Sequence, residues 1–224
     1  DLHLSLRRQR QMCIRDSCLI SLQSMEMIKE IVIATHNPDK KKEIIFSLQD
    51  LDIKILSLDN FPKIGEIEET GSTLLENSFI KARTVSTITG KAAIADDTGL
   101  EVDALNGAPG IYSARYAGIN VSYEDNVRKL LSEMSSVTDE NRTARFRTVM
   151  SFHSLNKEFW TEGFAEGSIT RKEIGNGGFG YDPVFRSKQT GKTFAEMTTE
   201  EKNKISHRGL AIEKMRELLM KKIK

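Results

Sequence analysis

Ile31-Val32-Ile33-Ala34 is an unbroken apolar run rich in β-branched side chains, the pattern of a short strand covered on both faces. Polar residues follow at once. Pro38 then stands where the first turn of a helix would begin, and Ile44, Ile45 and Leu48 continue on helical spacing. Residues 53–58 read as a second strand. Ser72 or Thr73 can cap a second helix with Glu76 as its capping-box partner; Leu75, Phe79, Ala82 and Ile88 supply an apolar face, and Gly90 stops it. Residues 92–95 are a third buried strand, expected to end at Asp96 and Asp97. A turn at Gly107-Ala108-Pro109-Gly110 precedes a helix over 123–134. Residues 143–155 and 159–170 form a long antiparallel pair joined near Asn156. A glycine loop at 175–180 leads to a short strand around Val184-Phe185. The last helix runs from a Ser206 cap through Ala211, Met215, Leu218 and Lys222. Alternating elements early and a long hairpin late predict an α/β fold: a mixed sheet with a cleft between two lobes.

Charge narrows the partners. Lys and Arg number 33 against 32 Asp and Glu, a net charge of +1, and residues 1–26 supply all of it with four Arg against three acids. The remainder sums to zero, whereas a duplex-binding domain carries a marked basic excess, so no nucleic-acid partner is expected. No apolar run approaches the roughly 20 residues of a membrane span. Both cysteines, Cys13 and Cys18, fall in the first 26 residues, which argues against disulfide scaffolding and cysteine-based zinc sites in the rest and makes the cytosol the expected compartment. Residues 1–26 show no sustained helical stripe and no signal-peptide cleavage pattern. They read as a disordered, non-native leader, with the natural start expected at Met25 or Met27 and one domain over 27–224.

Four stretches carry candidate chemistry. Thr35-His36-Asn37-Pro38-Asp39-Lys40 joins a buried strand to a helix start, where unpaired backbone N–H groups and the positive end of the dipole suit phosphate. A solvated polar cap would read the same way, and the glycines of a Walker loop are missing. Asp96-Asp97-Thr98-Gly99 offers carboxylates for a divalent cation and for taking a proton from water; strand alternation lets only one of the two face a given cleft. Glu66, Glu68 and Glu69 could add a second carboxylate. Gly175, Gly177, Gly178 and Gly180 surround Phe179 and precede Tyr181 and Asp182, a loop that could let a base stack and could meet a purine edge. Lys202, His207 and Arg208 straddle a helix start, and Arg208 has the fork geometry for a phosphate or a carbonyl.

Taken in order, Thr35-His36-Asn37-x-x-Lys40, Glu69-Thr70-Gly71, Glu76-Asn77, Ala95-Asp96-Asp97-Thr98-Gly99-Leu100, Gly107-Ala108-Pro109-Gly110-Ile111-Tyr112-Ser113-Ala114-Arg115-Tyr116, Phe179-Gly180-Tyr181-Asp182-Pro183 and Ser206-His207-Arg208-Gly209 resemble the inosine/xanthosine triphosphate pyrophosphatases, also called XTP/dITP diphosphatases. The resemblance runs from about Ile28 to the C-terminus. It implies an elongated, two-lobed α/β fold, a homodimer, and Mg²⁺-dependent release of pyrophosphate from ITP, dITP and XTP. Carried over by position, Asp97 matches the general base and a metal ligand, and Glu68 the second carboxylate. Thr35, His36, Asn37, Pro38, Asp39 and Lys40 match the triphosphate loop. Thr98, Phe179, Gly180, Tyr181, Asp182, Lys202, His207 and Arg208 match substrate contacts. Relatives often carry Gly where this chain has His36. Two alternatives stand beside this reading: a Maf-like pyrophosphatase of other nucleoside triphosphates, and a nucleotide-binding module without catalysis.

Overall fold

The computed structural model describes residues 28–222, so the leader reading for 1–26 lies outside the described residues. Seven strands form one mixed sheet: β1 (Glu30–Ile33), β2 (Lys54–Ser57), β3 (Ala92–Val102), β4 (Pro109–Gly110), β5 (Thr143–Ser154), β6 (Lys157–Ile169) and β7 (Phe185–Ser187). The order is β2-β1-β3-β5-β6-β7, with β4 paired to β3 off that path. β1 runs parallel to β2 and β3; every other pairing is antiparallel. The helices are α1 (Pro38–Leu48), α2 (Leu74–Thr89), α3 (Tyr123–Glu133), α4 (Thr199–Ile205) and α5 (His207–Lys222).

Strand alternation distributes the core. Ile31, Ile33 and Ile94 face α1 and α5, packing with Ile44, Leu48, Ala211, Ile212, Met215 and Leu219. Val32, Ala34, Ala93 and Ala95 face the other way, against Ala82 and Val85 of α2. At roughly 1.5–3 kcal/mol per fully buried branched side chain, these two layers hold the parallel half of the sheet between helices. A further cluster lies around the far end of β3: Leu100, Val102, Val127, Leu130, Phe146, Phe185 and Phe194.

β3 does not end at the aspartates as the sequence predicts. It continues to Val102, because β5 pairs with it from Ala93 to Val102. Only Ala92, Ala93 and Ile94 pair with β1. Between Ile94 and Leu100, where β4 joins, no strand pairs with the β1 side of β3, and this notch, beside the start of α1, is where Asp96 and Asp97 sit.

α2 is rotated from the face that apolar spacing suggests. Its buried residues include Asn77, Ser78, Lys81, Ala82 and Val85, while Ile88 is exposed. The polar members are satisfied: Asn77 Oδ1 accepts from the Gly71 N–H, and the Ser78 hydroxyl meets Ala95 O and Ser151 Oγ. Thr73 caps this helix and Gly90 ends it in a left-handed conformation. α4, absent from the sequence reading, is a short helix with a Thr198/Glu201 capping box. α5 lies directly against β6 at Gly163, where a Cβ would stand 2.1 Å from the His207 carbonyl oxygen. That close approach fixes the height of His207 and Arg208 over the sheet.

Candidate active site

α1 starts one step past β1. Asn37 caps it, its side-chain oxygen accepting from the Asp39 and Lys40 N–H groups at 3.0 and 3.1 Å. The helix start therefore does not present those two N–H groups bare; the local side chains and the dipole remain to meet an anion. His36 Nε2 lies 3.0 Å from the Gly65 carbonyl, a bond that ties this loop to the segment bearing Glu66 and Glu68.

Strand parity separates the acidic pair. Asp96 points to the α1/α5 face, where it is fully buried. There it meets Lys40 at 3.1 Å and Arg208 at 3.2 Å, and the Thr98 hydroxyl donates to it. Burial pushes the Asp96 carboxyl up, but Lys40 and Arg208 outweigh it and hold it far below the usual carboxylate range. Asp97 points to the α2 face. Lys81 of α2 lies 3.4 Å from Asp97 Oδ1 and 2.6 Å from Glu69. Asp97 Oδ2 is buried with no hydrogen-bond partner. Here burial dominates the opposing Lys81 and Lys40 charges, so Asp97 titrates above an ordinary aspartate. Each carboxylate keeps one buried oxygen without a partner, so the pair differs in charge environment: Asp96 is a fixed counter-ion, and Asp97 is the stronger base.

A second network buries four charges. Arg208, 2% exposed, holds Glu43 at 2.5 Å; Lys202 holds Glu43 at 3.1 Å and Asp182 at 2.7 Å. Burial raises Glu43, yet Arg208 and Lys202 leave it below its usual value, whereas Asp182 stays raised by burial against the pull of Lys202. At Gly178 a Cβ would stand 2.1 Å from Asp182 Oδ2, so the glycine lets the loop fold over this carboxylate. Lys202 Nζ stands 4.6 Å from the Phe179 ring centroid and Arg208 5.5 Å. His207 is buried and stacks on Phe146 at 4.4 Å. Burial and the nearby Arg208 and Lys202 keep its imidazole neutral, well below the usual histidine range.

These groups share one cavity of about 780 Å³, a size suited to a nucleotide-scale ligand. Thr35, His36, Asn37, Lys40, Glu66, Glu68, Glu69, Asp97 and Thr98 line one part of its wall; Phe179, Gly180, Tyr181, Asp182, Lys202, His207 and Arg208 line another, and Lys81, Tyr123 and Asn126 are also among its lining residues. Pro38 and Asp39 lie outside the lining and serve the helix start. Tyr181 is mainly a core residue, its hydroxyl donating to Ser113 O. Sequence reasoning missed Glu43, Lys81, Tyr123 and Asn126. Glu43, Lys81 and Asn126 carried one signal, a polar residue interrupting the buried stripe of a helix.

A family model for the Ham1 family matches residues 31–218. The chain belongs to the Ham1 family. A relative from Bacillus subtilis strain 168, named dITP/XTP pyrophosphatase, is 47% identical over 196 residues, covering 87% of this chain and 99% of that protein. One of the same name from Thermoanaerobacter sp. strain X514 is 47% identical over 194 residues, covering 87% and 98%. The solved HAM1 protein from Coxiella burnetii is 41% identical, with a TM-score of 0.80, and spans 87% of this chain and all of that one. The mixed sheet and its notch are therefore a Ham1 architecture, and the cavity at the notch is the candidate active site of this Ham1 chain.

Proposed function

We propose that this chain hydrolyses nonstandard purine nucleoside triphosphates (ITP, dITP and XTP) to the monophosphate and pyrophosphate. The observation that carries the reading is Asp97: its Oδ2 is buried, unpartnered and raised in basicity, and it faces the same cavity as Lys40 and the Phe179 ring. The names of the relatives support the same activity.

The proposal includes Mg²⁺. The carboxylates of Asp97, Glu66 and Glu68 give one cavity a set of hard oxygen donors, while Glu69 is engaged by Lys81. Among the described residues no three acidic, His or Cys side chains converge, and Mg²⁺ commonly takes one or two carboxylates and completes its shell with water and substrate phosphates. Asp97 with Glu68 would hold it. Bound there, the cation would neutralise phosphate charge and make a water easier to deprotonate.

The chain's own residues supply the rest. Lys81 pins Asp97 Oδ1, leaving Oδ2 to take the proton of the attacking water. The water oxygen bonds to the α-phosphorus as the bond from that phosphorus to the bridging oxygen breaks, and pyrophosphate leaves. Lys40 offsets charge on the phosphates. At the base end Phe179 provides a stacking face, and Lys202 and Arg208 provide donors for a purine 6-oxo group. Adenine presents an amino group there and leaves a donor unpaired, a larger penalty than a lost apolar contact.

A homodimer working in the cytosol completes the proposal. Trp160 and Phe164, 43% and 39% exposed on the outer face of β6, offer apolar area for a second copy. Among the described residues no helix is long and apolar enough to cross a membrane.

A pyrophosphate-release panel over ITP, dITP, XTP, GTP, dTTP and UTP with Mg²⁺ tests the reading. Release confined to the 6-oxopurine triphosphates is expected. Preference for pyrimidine triphosphates would favour the Maf-like alternative, and binding without release would leave only a nucleotide-binding module.

A further inference from the structure

We infer that Tyr123 is a positioning residue that couples the phosphate end of the cleft to its base end. Tyr123 is the first residue of α3, after the Ser122 cap, and it lines the cavity. Its hydroxyl accepts a hydrogen bond from Asn37 Nδ2 at 2.9 Å. Its ring packs against Phe179, centroids 6.0 Å apart and planes tilted by 42°. One side chain thus touches both walls.

The hydrogen bond acts through Asn37. A side-chain amide can point its oxygen or its nitrogen either way, and the cap requires the oxygen toward the Asp39 and Lys40 N–H groups. By accepting from the nitrogen, the Tyr123 hydroxyl stabilises the orientation in which Asn37 closes the start of α1, ahead of Lys40. The ring contact acts on the other wall, limiting the positions open to Phe179, which sits on a glycine-flanked loop and is otherwise met by the Lys202 and Arg208 cations. A ligand with phosphates near Lys40 and a base on Phe179 would bridge the two walls that Tyr123 touches. Holding both walls in place before binding reduces what the nucleotide must order, and this lowers Kd and KM without touching the reacting phosphorus.

Tyr123 belongs to none of the three core clusters and is 38% exposed. Truncating it therefore leaves the fold in place.

The inference rests on the proposed nucleotide site, and two measurements separate their failures. Steady-state pyrophosphate release is measured for wild type, Tyr123→Phe and Tyr123→Ala. Calorimetry with a non-hydrolysable purine triphosphate analogue reads affinity independently of turnover. Tyr123→Ala is expected to raise KM and Kd about tenfold with kcat within about twofold. Tyr123→Phe, which keeps the ring and loses the hydroxyl, should fall between, at about threefold. An unchanged KM and Kd in Tyr123→Ala would overturn the role, as would a fall in kcat with KM unaltered. A wild type that binds the analogue but releases no pyrophosphate would sink the catalytic reading and leave the Kd comparison to decide on Tyr123. A wild type that does not bind the analogue would sink both.

Discussion

The Lys81 ammonium lies 3.4 Å from one Asp97 oxygen and leaves the other buried without a partner. That asymmetry divides the carboxylate into an anchored atom and a reactive one. Asp97→Asn keeps the shape and removes the basic oxygen. It should lower kcat about 10²- to 10⁴-fold, the usual share of general-base catalysis. The fold should survive, because Lys81 still holds Glu69 at 2.6 Å. Pyrophosphate release read beside circular dichroism checks both halves; turnover near wild type would remove Asp97 from the chemistry.

Removing divalent cations tests the acidic wall separately. With excess EDTA, release of pyrophosphate should cease and return on adding Mg²⁺. Glu68→Gln should raise the Mg²⁺ concentration needed for half-maximal rate, whereas Glu66→Gln should shift it less. The reverse order would reassign the second carboxylate.

Arg208 is the hinge of the buried charge network. Arg208→Met leaves Glu43 and Asp96 facing each other's field without their shared cation, a loss expected to cost about 3–5 kcal/mol in urea unfolding. Adding Glu43→Met to that variant removes one orphaned charge and should recover part of the loss. Equal stability of the single variant and wild type would mean that water reaches these groups in solution.

Acid should destabilise the protein in two stages. Unfolded, His207 titrates near 6.5, but in the fold burial and the neighbouring cations hold it well lower. Below 6.5 the unfolded chain takes up a proton that the native state refuses, so stability falls as pH drops from there. Glu43 is depressed below 4.5 in the fold; its contribution is complete above 4.5 and is lost as pH falls further. A melting temperature measured from about pH 8 to about pH 2 should show both steps, and His207→Gln should flatten the first. A first step of unchanged size in that variant would assign it to another group.

Much of the frame was legible in the chain. Residues 31–34 and the hairpin strands follow local patterning, because a buried strand needs apolar side chains whatever lies around it. Caps at Thr73 and the stop at Gly90 were equally local. α2 was placed in sequence but misread in rotation: its buried stripe carries Asn77, Ser78 and Lys81, whose partners lie elsewhere in the chain. Polar residues look like a solvent face until those partners are known.

By itself the sequence determined most of the longer elements, the order of the acidic, glycine-rich and cationic stretches, and the family resemblance that the Ham1 match bears out. Tertiary structure alone decided that β3 runs on past β1, which opens the notch, and that Asp96 and Asp97 turn to opposite faces to meet Lys40 and Lys81. Basicity is set by burial and by the charges within a few ångströms, and those charges come from helices far apart along the chain. No spacing rule in one dimension encodes which carboxylate is held as a counter-ion and which becomes the stronger base.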